Sequence, residues 1–340
     1  LERAHSRVVG RFVEESGIAL VVPDDPRISQ DILVPLGDTA GARPGQVVVA
    51  EITQQPRERQ PPVGRVVEIL GKSGAPGMAT EIALRNFDIP CEWPEGVEQE
   101  AAAFGAVVTN EMTAGRRDLR ELPLVTIDGA DARDFDDAVF AQRRNNGWRL
   151  VVAIADVANY VSPGSGLDRE ALRRATSVYF PQRVVPMLPE ALSNGLCSLK
   201  PDEDRLCLVC DMSINDSGAV TRSRFDAAVM RSQARLTYDQ VWDWIVSGNQ
   251  EIRPGTAAVS ASLRDLYGLY KALRRARTRR GAIDFESTEV QFRFDERGAV
   301  EDIVPYERND AHMLIEECMI TANVEAANFL IRQRIAAPFR

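Results

Sequence analysis

The sequence predicts a small β-barrel followed by a larger mixed α/β unit. Residues 1–70 contain five short β-type runs separated by turn residues, with no helical pattern between the first four. From about residue 110, strand-type and helix-type periodicities alternate. A length of 340 residues is enough for about two domains with substantial cores.

The predicted barrel matches the strand number of the OB-fold, a five-stranded barrel that commonly binds oligonucleotides. Turn residues at 23–26, 37–38 and 44–45 separate its strands. Phe12 is the one aromatic residue in this region, so stacking of bases on the barrel has weak support. The predicted strands are Arg7–Phe12, Ile18–Val22, Ile32–Val34, Val47–Ile52 and Val63–Leu70.

The rest of the chain divides into a linker, residues 71–110, and an α/β domain, residues 111–340. Short helices are predicted in the linker at Thr80–Phe87 and Val97–Phe104. The last helix carries an apolar stripe at 315, 319, 322, 326 and 329, which indicates a core-facing side. The predicted α/β elements are strands Trp148–Ile154 and Leu206–Ile214 and helices Tyr238–Ser247, Ala261–Arg280 and Ala311–Arg334.

Composition and charge exclude several classes of protein. No apolar run approaches the ~18 residues of a membrane span, and no signal-peptide pattern opens the chain. The five cysteines are an odd number in a large chain, which favours a reducing cytoplasm over a disulfide framework. Cys207 and Cys210 have the spacing of a zinc pair, but a buried strand over Leu206–Met212 is the favoured interpretation.

The charge distribution leaves two interpretations open. A net charge of −9 argues against a nucleic-acid partner by itself. The segment Lys271–Arg280, however, carries six basic residues and no acid. It is either a solvated helix face or a basic surface that guides phosphates.

The segment Thr126–Ala141 contains five aspartates, at 128, 131, 134, 136 and 137. Like charges this close repel, and partial burial raises their pKa values. Divalent cations neutralise such a cluster, and carboxylate oxygens suit Mg²⁺ or Mn²⁺. Apolar runs at Leu122–Ile127 and Ala138–Phe140 flank the acids, so the pattern predicts a strand, an acidic loop and a strand.

Four interpretations of the aspartates were compared. A calcium-binding EF-hand loop fails, because Ala138, Val139 and Asn145 occupy positions five, six and twelve. An aspartyl-phosphate phosphatase is a near match, with Ala138 in place of the expected hydroxyl or valine. A phosphodiesterase that uses metal-bound water fits better. A merely solvated acidic loop also remains open.

The segment Thr126–Ala138 closely resembles the catalytic signature of the ribonuclease II and ribonuclease R (RNB) family. The resemblance implies a cold-shock OB-fold β-barrel followed by a mixed α/β RNB catalytic domain that is incomplete at its C-terminus. Other segments resemble the family in the same order: Val152–Val157, Ser177–Pro181, Val184–Pro189, Leu192–Leu199, Asp204–Asp211, Gly281–Glu286 and Asn309–Met319.

The resemblance implies a processive 3′→5′ hydrolytic exoribonuclease that releases nucleoside 5′-monophosphates and depends on Mg²⁺, with Mn²⁺ as an alternative. Asp131 lies outside the family's catalytic set. Tyr179 matches a residue that clamps the terminal nucleotide, Tyr238 one near the last ribose, and Glu316 a partner in the end-binding pocket. The catalytic and metal-binding residues implied are Asp128, Asp134, Asp136 and Asp137.

The implied partner is the 3′ end of single-stranded RNA, with no membrane contact and a monomeric, cytoplasmic protein. The family continues into an arginine-containing segment and an S1 domain, and it begins with another cold-shock domain. We therefore expect this chain to be a piece of a longer protein. The alternative function is a catalytically incompetent RNA-binding homologue or fragment.

Overall fold

The structure is a computed structural model that describes residues 6–57, 60–248, 252, 255–283 and 289–338. The helices are α1 (Met78–Asn86), α2 (Val97–Ala102), α3 (Asn110–Thr113), α4 (Gly166–Arg174), α5 (Tyr238–Ser247), α6 (Ala257–Arg279) and α7 (Asp310–Arg332). The strands are β1 (Arg7–Glu15), β2 (Ile18–Pro23), β3 (Ile32–Val34), β4 (Gln46–Gln54), β5 (Val63–Lys72), β6 (Arg117–Asp118), β7 (Val125–Asp128), β8 (Asp137–Arg144), β9 (Gly147–Ala155), β10 (Val178–Phe180), β11 (Arg183–Val185), β12 (Asp204–Asn215), β13 (Val220–Arg231), β14 (Ala234–Thr237), β15 (Glu289–Phe294) and β16 (Val300–Tyr306).

The first five strands close into a barrel in the order β1-β2-β3-β5-β4, which confirms the predicted architecture. Alternating apolar residues fill its interior, because successive side chains of a strand point to opposite faces. Val21, Ile32 and Val48 are fully buried there. Phe12 is 1% exposed and belongs to this core, so it cannot serve as a platform for stacked bases.

The chain divides into two compact units. The first contains the chain up to Trp93, with Thr176–Val185 and Val290–Pro305. It therefore joins the barrel to α1, to the antiparallel hairpin β10–β11 and to residues of β15 and β16. The second contains Pro94–Ala175, Pro186–Glu289 and the chain from Tyr306. This division differs from the boundaries at residues 70 and 110 that the sequence suggested.

The second unit is built on a seven-stranded sheet with the order β14-β7-β8-β9-β12-β13-β6. Its edge pairs β14–β7 and β13–β6 are parallel, whereas the inner strands are antiparallel. Helices α5, α6 and α7 contribute to one apolar core with this sheet, in which Val152 and Met212 meet Leu266 and Leu314. The sheet therefore forms the rigid support of the acidic segment.

The apolar stripe predicted on the last helix is buried only over its first half. Ile315 and Ala322 are 6% and 7% exposed, whereas Phe329 is 36% exposed. Phe329 still packs against Phe225, with ring centroids 5.1 Å apart. The stripe thus contacts the core and then reaches the edge of the unit.

Cys207 and Cys210 lie in β12 and are both buried, which confirms the strand that was predicted there. Residues three apart on a strand point to opposite faces, so the two thiols do not converge. Burial raises the pKa of each to about 12, and both stay protonated at neutral pH. None of the helices in the described residues combines the length and apolarity that a membrane crossing requires.

Candidate active site

The acidic loop, residues 128–137, connects the end of β7 to the start of β8. Backbone hydrogen bonds attach it to the sheet and to a neighbouring segment. The amide of Ala155 donates to the carbonyl of Asp136 at 2.9 Å, and that of Leu199 donates to the carbonyl of Phe135 at 2.8 Å. The predicted strand, acidic loop and strand are therefore present, and the loop rests on a rigid scaffold.

The structure brings the four predicted catalytic aspartates within electrostatic reach of one another. Burial, followed by the charge of Asp137, raises the pKa of Asp128 to about 7, and Asp136 and Asp134 add to this shift. Asp136 is exposed, and the pKa of its carboxyl is raised to about 6 by loss of hydration and by the charge of Asp134. Burial and Asp136 raise the pKa of Asp137 to about 6. Asp131 is exposed and contributes to none of these shifts.

The donor set of the acidic loop fits a hard divalent cation. Oδ2 of Asp128 is buried and has no hydrogen-bond partner, and neither does the buried hydroxyl of Thr126. Carboxylates that repel one another and lack donors gain most from a cation with oxygen ligands. Over the residues that the structure describes, no three His, Cys, Asp or Glu side chains stand close enough to form a complete ligand set. The fit therefore rests on donor chemistry and charge.

Tyr238 is placed beside the acidic loop by strand pairing and helix capping. The parallel register of β14 and β7 sets Thr237 opposite Asp128. Thr237 then caps α5 in a reciprocal capping box with Gln240, and this cap fixes Tyr238 as the first helical residue. Burial and the charges of Asp128 and Asp137 raise the pKa of Tyr238 to about 12. Its hydroxyl therefore stays protonated next to the carboxylates.

Glu316 lies in α7, one turn after a residue that contacts Tyr238. The ring of His312 stacks on that of Tyr238 at 4.0 Å, and His312 Nε2 lies 2.6 Å from the hydroxyl of Tyr306. Burial lowers the pKa of His312, so its ring is neutral at pH 7. Glu316 pairs with Arg308 and lies 3.7 Å from Nη1 of Arg277. Tyr238 thus contacts His312, and Glu316 follows one turn later on the same helix.

Tyr179 belongs to the first compact unit, whereas the other six predicted site residues belong to the second. It lies at the centre of β10, where it pairs in register with Val184 of β11. Its side chain is 62% exposed. A large exposed ring on a short hairpin is a suitable surface for stacking a base.

The basic segment Lys271–Arg280 has a partly structural role that the sequence did not reveal. Arg277 Nη1 lies 3.2 Å from Oε1 of the buried Glu317, and Arg274 Nη1 lies 3.7 Å from the same atom. These pairs link α6 to α7. Arg275 and Arg280 are exposed, so only part of the segment is a solvated face.

Two residues that contact the acidic loop were not predicted as site residues. Arg235 of β14 donates to the carbonyls of Gly129 and Ala130 at 2.7 and 2.8 Å. Ser198 accepts a hydrogen bond from the amide of Phe135 at 3.1 Å. Both lie more than sixty positions from the loop residues they contact, so no local pattern indicates them. Ser198 does belong to the segment Leu192–Leu199 that resembles the family.

Comparison with known protein families assigns both parts of the chain. The RNB domain matches residues 116–340, and the cold shock domain matches residues 20–94. The chain belongs to the RNB-domain family. The family resemblance of the sequence is therefore confirmed, as is the cold-shock OB-fold barrel followed by a partial RNB domain.

Two curated relatives show how much of the chain is shared. Ribonuclease R of Escherichia coli strain K12 is 54% identical over 336 residues, which cover 98% of this chain and 41% of the relative. Ribonuclease R of Thermotoga maritima is 43% identical over 333 residues, which cover 96% of this chain and 46% of the relative. The chain thus spans less than half the length of these relatives.

Solved structures match over the whole chain. RNase R of Mycoplasma genitalium in complex with double-stranded RNA gives a TM-score of 0.93 at 30% identity, covering 100% of this chain and 60% of that one. The same protein with ribose-methylated single-stranded RNA gives a TM-score of 0.94, covering 100% and 53%. Yeast Ssd1, described as a pseudonuclease, shares the fold with a TM-score of 0.70 at 18% identity, covering 96% and 41%.

Proposed function

We propose that this chain carries the catalytic centre of a 3′→5′ exoribonuclease that degrades RNA processively to nucleoside 5′-monophosphates. The observation that carries the proposal is the acidic loop. Three of its carboxylates, those of Asp128, Asp136 and Asp137, have pKa values raised to between about 6 and 7 by loss of hydration and mutual repulsion, inside a domain of the RNB family. Strongly shifted carboxylates next to an aromatic residue are typical of catalytic sites.

Asp128, Asp134, Asp136 and Asp137 are the residues that would hold Mg²⁺, or Mn²⁺ in its place. When bound, the ion would neutralise the phosphate and lower the pKa of a water ligand, as metal ions do in phosphodiester hydrolysis. The four carboxylates would attract and hold the cation through their shared negative charge, which would otherwise repel the RNA phosphates. Water oxygen bonds to phosphorus, the P–O3′ bond breaks, and the shortened RNA keeps a protonated 3′-hydroxyl.

The tyrosines supply contacts that do not depend on base identity. We assign the Tyr238 hydroxyl, whose pKa is raised by the charge of Asp128, to the ribose of the last nucleotide, where a 2′-hydroxyl distinguishes RNA from DNA. We assign the exposed ring of Tyr179 to stacking on the terminal base, a contact worth about 1–3 kcal/mol for any base. We assign Glu316, which pairs with Arg308, to a further contact with the RNA end. Contacts of this kind suit a processive enzyme.

The partner we propose is the 3′ end of single-stranded RNA. The structures of the Mycoplasma genitalium RNase R with RNA support an RNA partner for this fold. All five cysteines are free thiols, which supports a reducing cytoplasm as the location. We further propose that the protein acts as a monomer.

The test is release of nucleoside 5′-monophosphates from 3′-labelled single-stranded RNA by the protein extended to the full length of its relatives. We expect release with Mg²⁺ and none with chelator. Asp136→Asn should lower kcat by at least ~10²-fold, because it removes one of the charges that would hold the metal ion. Asp131→Asn is the matched control and should leave the rate within about twofold.

A second candidate function is RNA binding without catalysis. The similarity to a pseudonuclease shows that this fold also occurs in a protein described as inactive. This candidate predicts RNA binding by the full-length protein with no nucleotide release, and no effect of Asp136→Asn on either quantity. Mg²⁺-dependent release that Asp136→Asn abolishes would exclude it.

A further inference from the structure

The first half of the acidic loop is attached to the sheet by one arginine. Nη2 of Arg235 donates to the carbonyls of Gly129 and Ala130 at 2.7 and 2.8 Å. The guanidinium carbon lies 5.4 Å from the ring centre of Phe135 in the same loop. Arg235 also precedes Thr237, the residue opposite Asp128, by two positions on β14. One side chain therefore contacts both the backbone and an aromatic side chain of the loop.

The second half of the loop is attached by a buried serine. Ser198 is fully buried, accepts a hydrogen bond from the amide of Phe135 at 3.1 Å and donates one to the carbonyl of Arg133 at 3.0 Å. The next residue, Leu199, donates its amide to the carbonyl of Phe135 at 2.8 Å. The loop is thus held on both sides of Phe135.

We propose that Arg235 and Ser198 are positioning residues that hold the two halves of the acidic loop in the arrangement needed for hydrolysis. This inference rests on the proposed function for its catalytic consequence. Four aspartates that repel one another would spread apart on a flexible loop, because each gains hydration by moving into solvent. Attachment through backbone carbonyls and an amide opposes this spreading without occupying the carboxylates.

The two attachments have different chemistry. Arg235 adds a positive charge that opposes the rise in the pKa of Asp128, so it also offsets part of the repulsion. Ser198 is uncharged and acts only through geometry. Lysine at 235 would keep the charge but lose the planar group that contacts Phe135. Comparing Arg235→Lys with Arg235→Met therefore separates charge from shape.

Amide hydrogen exchange of the full-length protein without metal tests the attachment directly. Ser198→Ala should speed exchange at Phe135 by about tenfold or more, since this amide loses its acceptor. Arg235→Met should speed exchange at Ala132 by a similar factor, because its weak hydrogen bond to Gly129 lies in the turn that Arg235 holds. Exchange in β13 and α6 should stay unchanged.

Steady-state kinetics with Mg²⁺ test the catalytic consequence. We expect kcat to fall about 10–100-fold for Arg235→Met and Ser198→Ala while KM for RNA changes less than about threefold. Arg235→Lys should recover part of the loss. Arg231→Met and Ser193→Ala are the matched controls: Arg231 pairs with Asp204 at the surface, and Ser193 donates to the carbonyl of Pro189. Both controls should match the parent protein.

The outcomes separate this inference from the proposed function. If the parent protein releases no nucleotides, the proposed function fails, and the exchange data alone decide whether Arg235 and Ser198 hold the loop. Exchange at Ala132 and Phe135 within twofold of the parent would overturn the inference. A fall in kcat accompanied by equally faster exchange throughout the second unit would also overturn it, because that pattern indicates general destabilisation.

Discussion

In the second unit, the carboxylate of Asp211 and the carboxylates of the acidic loop have opposite electrostatic surroundings. Asp211 of β12 accepts hydrogen bonds from Arg117 at 2.7 Å and from Arg149 at 2.7 and 3.0 Å. Burial alone would raise the pKa of Asp211, but these two arginines outweigh burial and lower it. In the acidic loop, burial and like charges act together, and the pKa values of Asp128 and Asp137 rise to about 7 and 6.

The difference separates a carboxylate that is balanced within the fold from carboxylates that, under the proposed function, would be balanced by a bound cation. A buried carboxylate with two arginine partners is balanced within the chain and needs nothing further. A buried carboxylate among like charges lowers the stability of the folded state unless an external cation balances it. Repulsion within the acidic loop therefore lowers the free energy of unfolding, and a bound cation would raise it again. Such a trade is expected at a functional site.

The largest effect is expected for Asp128→Asn in the absence of divalent cations. The pKa of Asp128 is about 7 in the folded state, against an ordinary value of 3.8. Between these two pH values the folded state therefore binds more protons than the unfolded state. The stability of the parent should therefore fall as pH rises from about 4 to 7. The variant should lack this fall, because the asparagine side chain does not titrate. We expect the variant to be more stable by about 2–4 kcal/mol at pH 8 and equal at pH 4.

Urea unfolding followed by circular dichroism measures this difference. If the ionised loop binds Mg²⁺ as proposed, Mg²⁺ should stabilise the parent and reduce the advantage of the variant. Asp131→Asn is the control, since Asp131 is exposed and lies outside the group of shifted acids. A variant less stable than the parent at pH 8 without metal would contradict the comparison.

A smaller effect of the opposite sign is expected for Asp211→Asn. Arg149 would lose its charged acceptor, and Arg117 would keep only Asp226 at 3.0 Å. We expect a loss of about 1–3 kcal/mol at pH 7. The pKa of Asp211 is lowered in the folded state, so its contribution is present above the ordinary pKa and is lost as pH falls through the folded value.

Unfolding at pH 7 and at about pH 2 checks both parts of this prediction. The parent and Asp211→Asn should differ at neutral pH and converge in acid. Asp216→Asn is a matched control, because Asp216 pairs with Arg143 at the surface and its side chain is 59% exposed. It should change stability by less than about 0.5 kcal/mol. If Asp211→Asn and Asp216→Asn lower the free energy of unfolding equally, burial of the Asp211 network makes no contribution to stability.

The sequence predicted the parts of this molecule that depend on local patterns. The barrel strands follow from alternation and turn residues, and α5 begins at Tyr238 as predicted because Thr237 and Gln240 form a capping box. The acidic loop was recognised because five acids in ten positions are unusual in any local context. These features need no knowledge of distant contacts.

The remaining features depend on contacts between distant segments. Arg235 contacts Gly129 because β14 pairs with β7, and no periodicity reports that pairing. The sequence left the basic segment open between a solvated face and a surface that guides phosphates. It did not reveal the structural role, because Glu317, which pairs with Arg274 and Arg277, lies about forty positions away on another helix. Residues 284–286, part of the segment Gly281–Glu286 that resembles the family, lie outside the described residues. Features that depend on pairing between distant segments are thus seen in the fold and are not predicted from the sequence.

The smallest change in stability is expected for Tyr238→Phe, which removes only the hydroxyl beside the unbalanced acids. The ring would still stack on His312, so unfolding free energy should change by less than about 1 kcal/mol. If the hydroxyl contacts the ribose, the preference for RNA over the same strand ending in 2′-deoxynucleotides should fall about 3–10-fold, the worth of one hydrogen bond. The measurement is kcat/KM for both strands with the full-length protein.

Tyr267→Phe is the matched control for this prediction. Its hydroxyl donates to Asp310 at 3.3 Å, away from the acidic loop, so the preference for RNA should stay as in the parent. If Tyr238→Phe leaves the preference for RNA unchanged, the hydroxyl does not contact the ribose, and its role is in the fold, like that of Asp211. A reduced preference at unchanged stability would place Tyr238 with the acidic loop, among residues whose arrangement is explained by the substrate and not by folding.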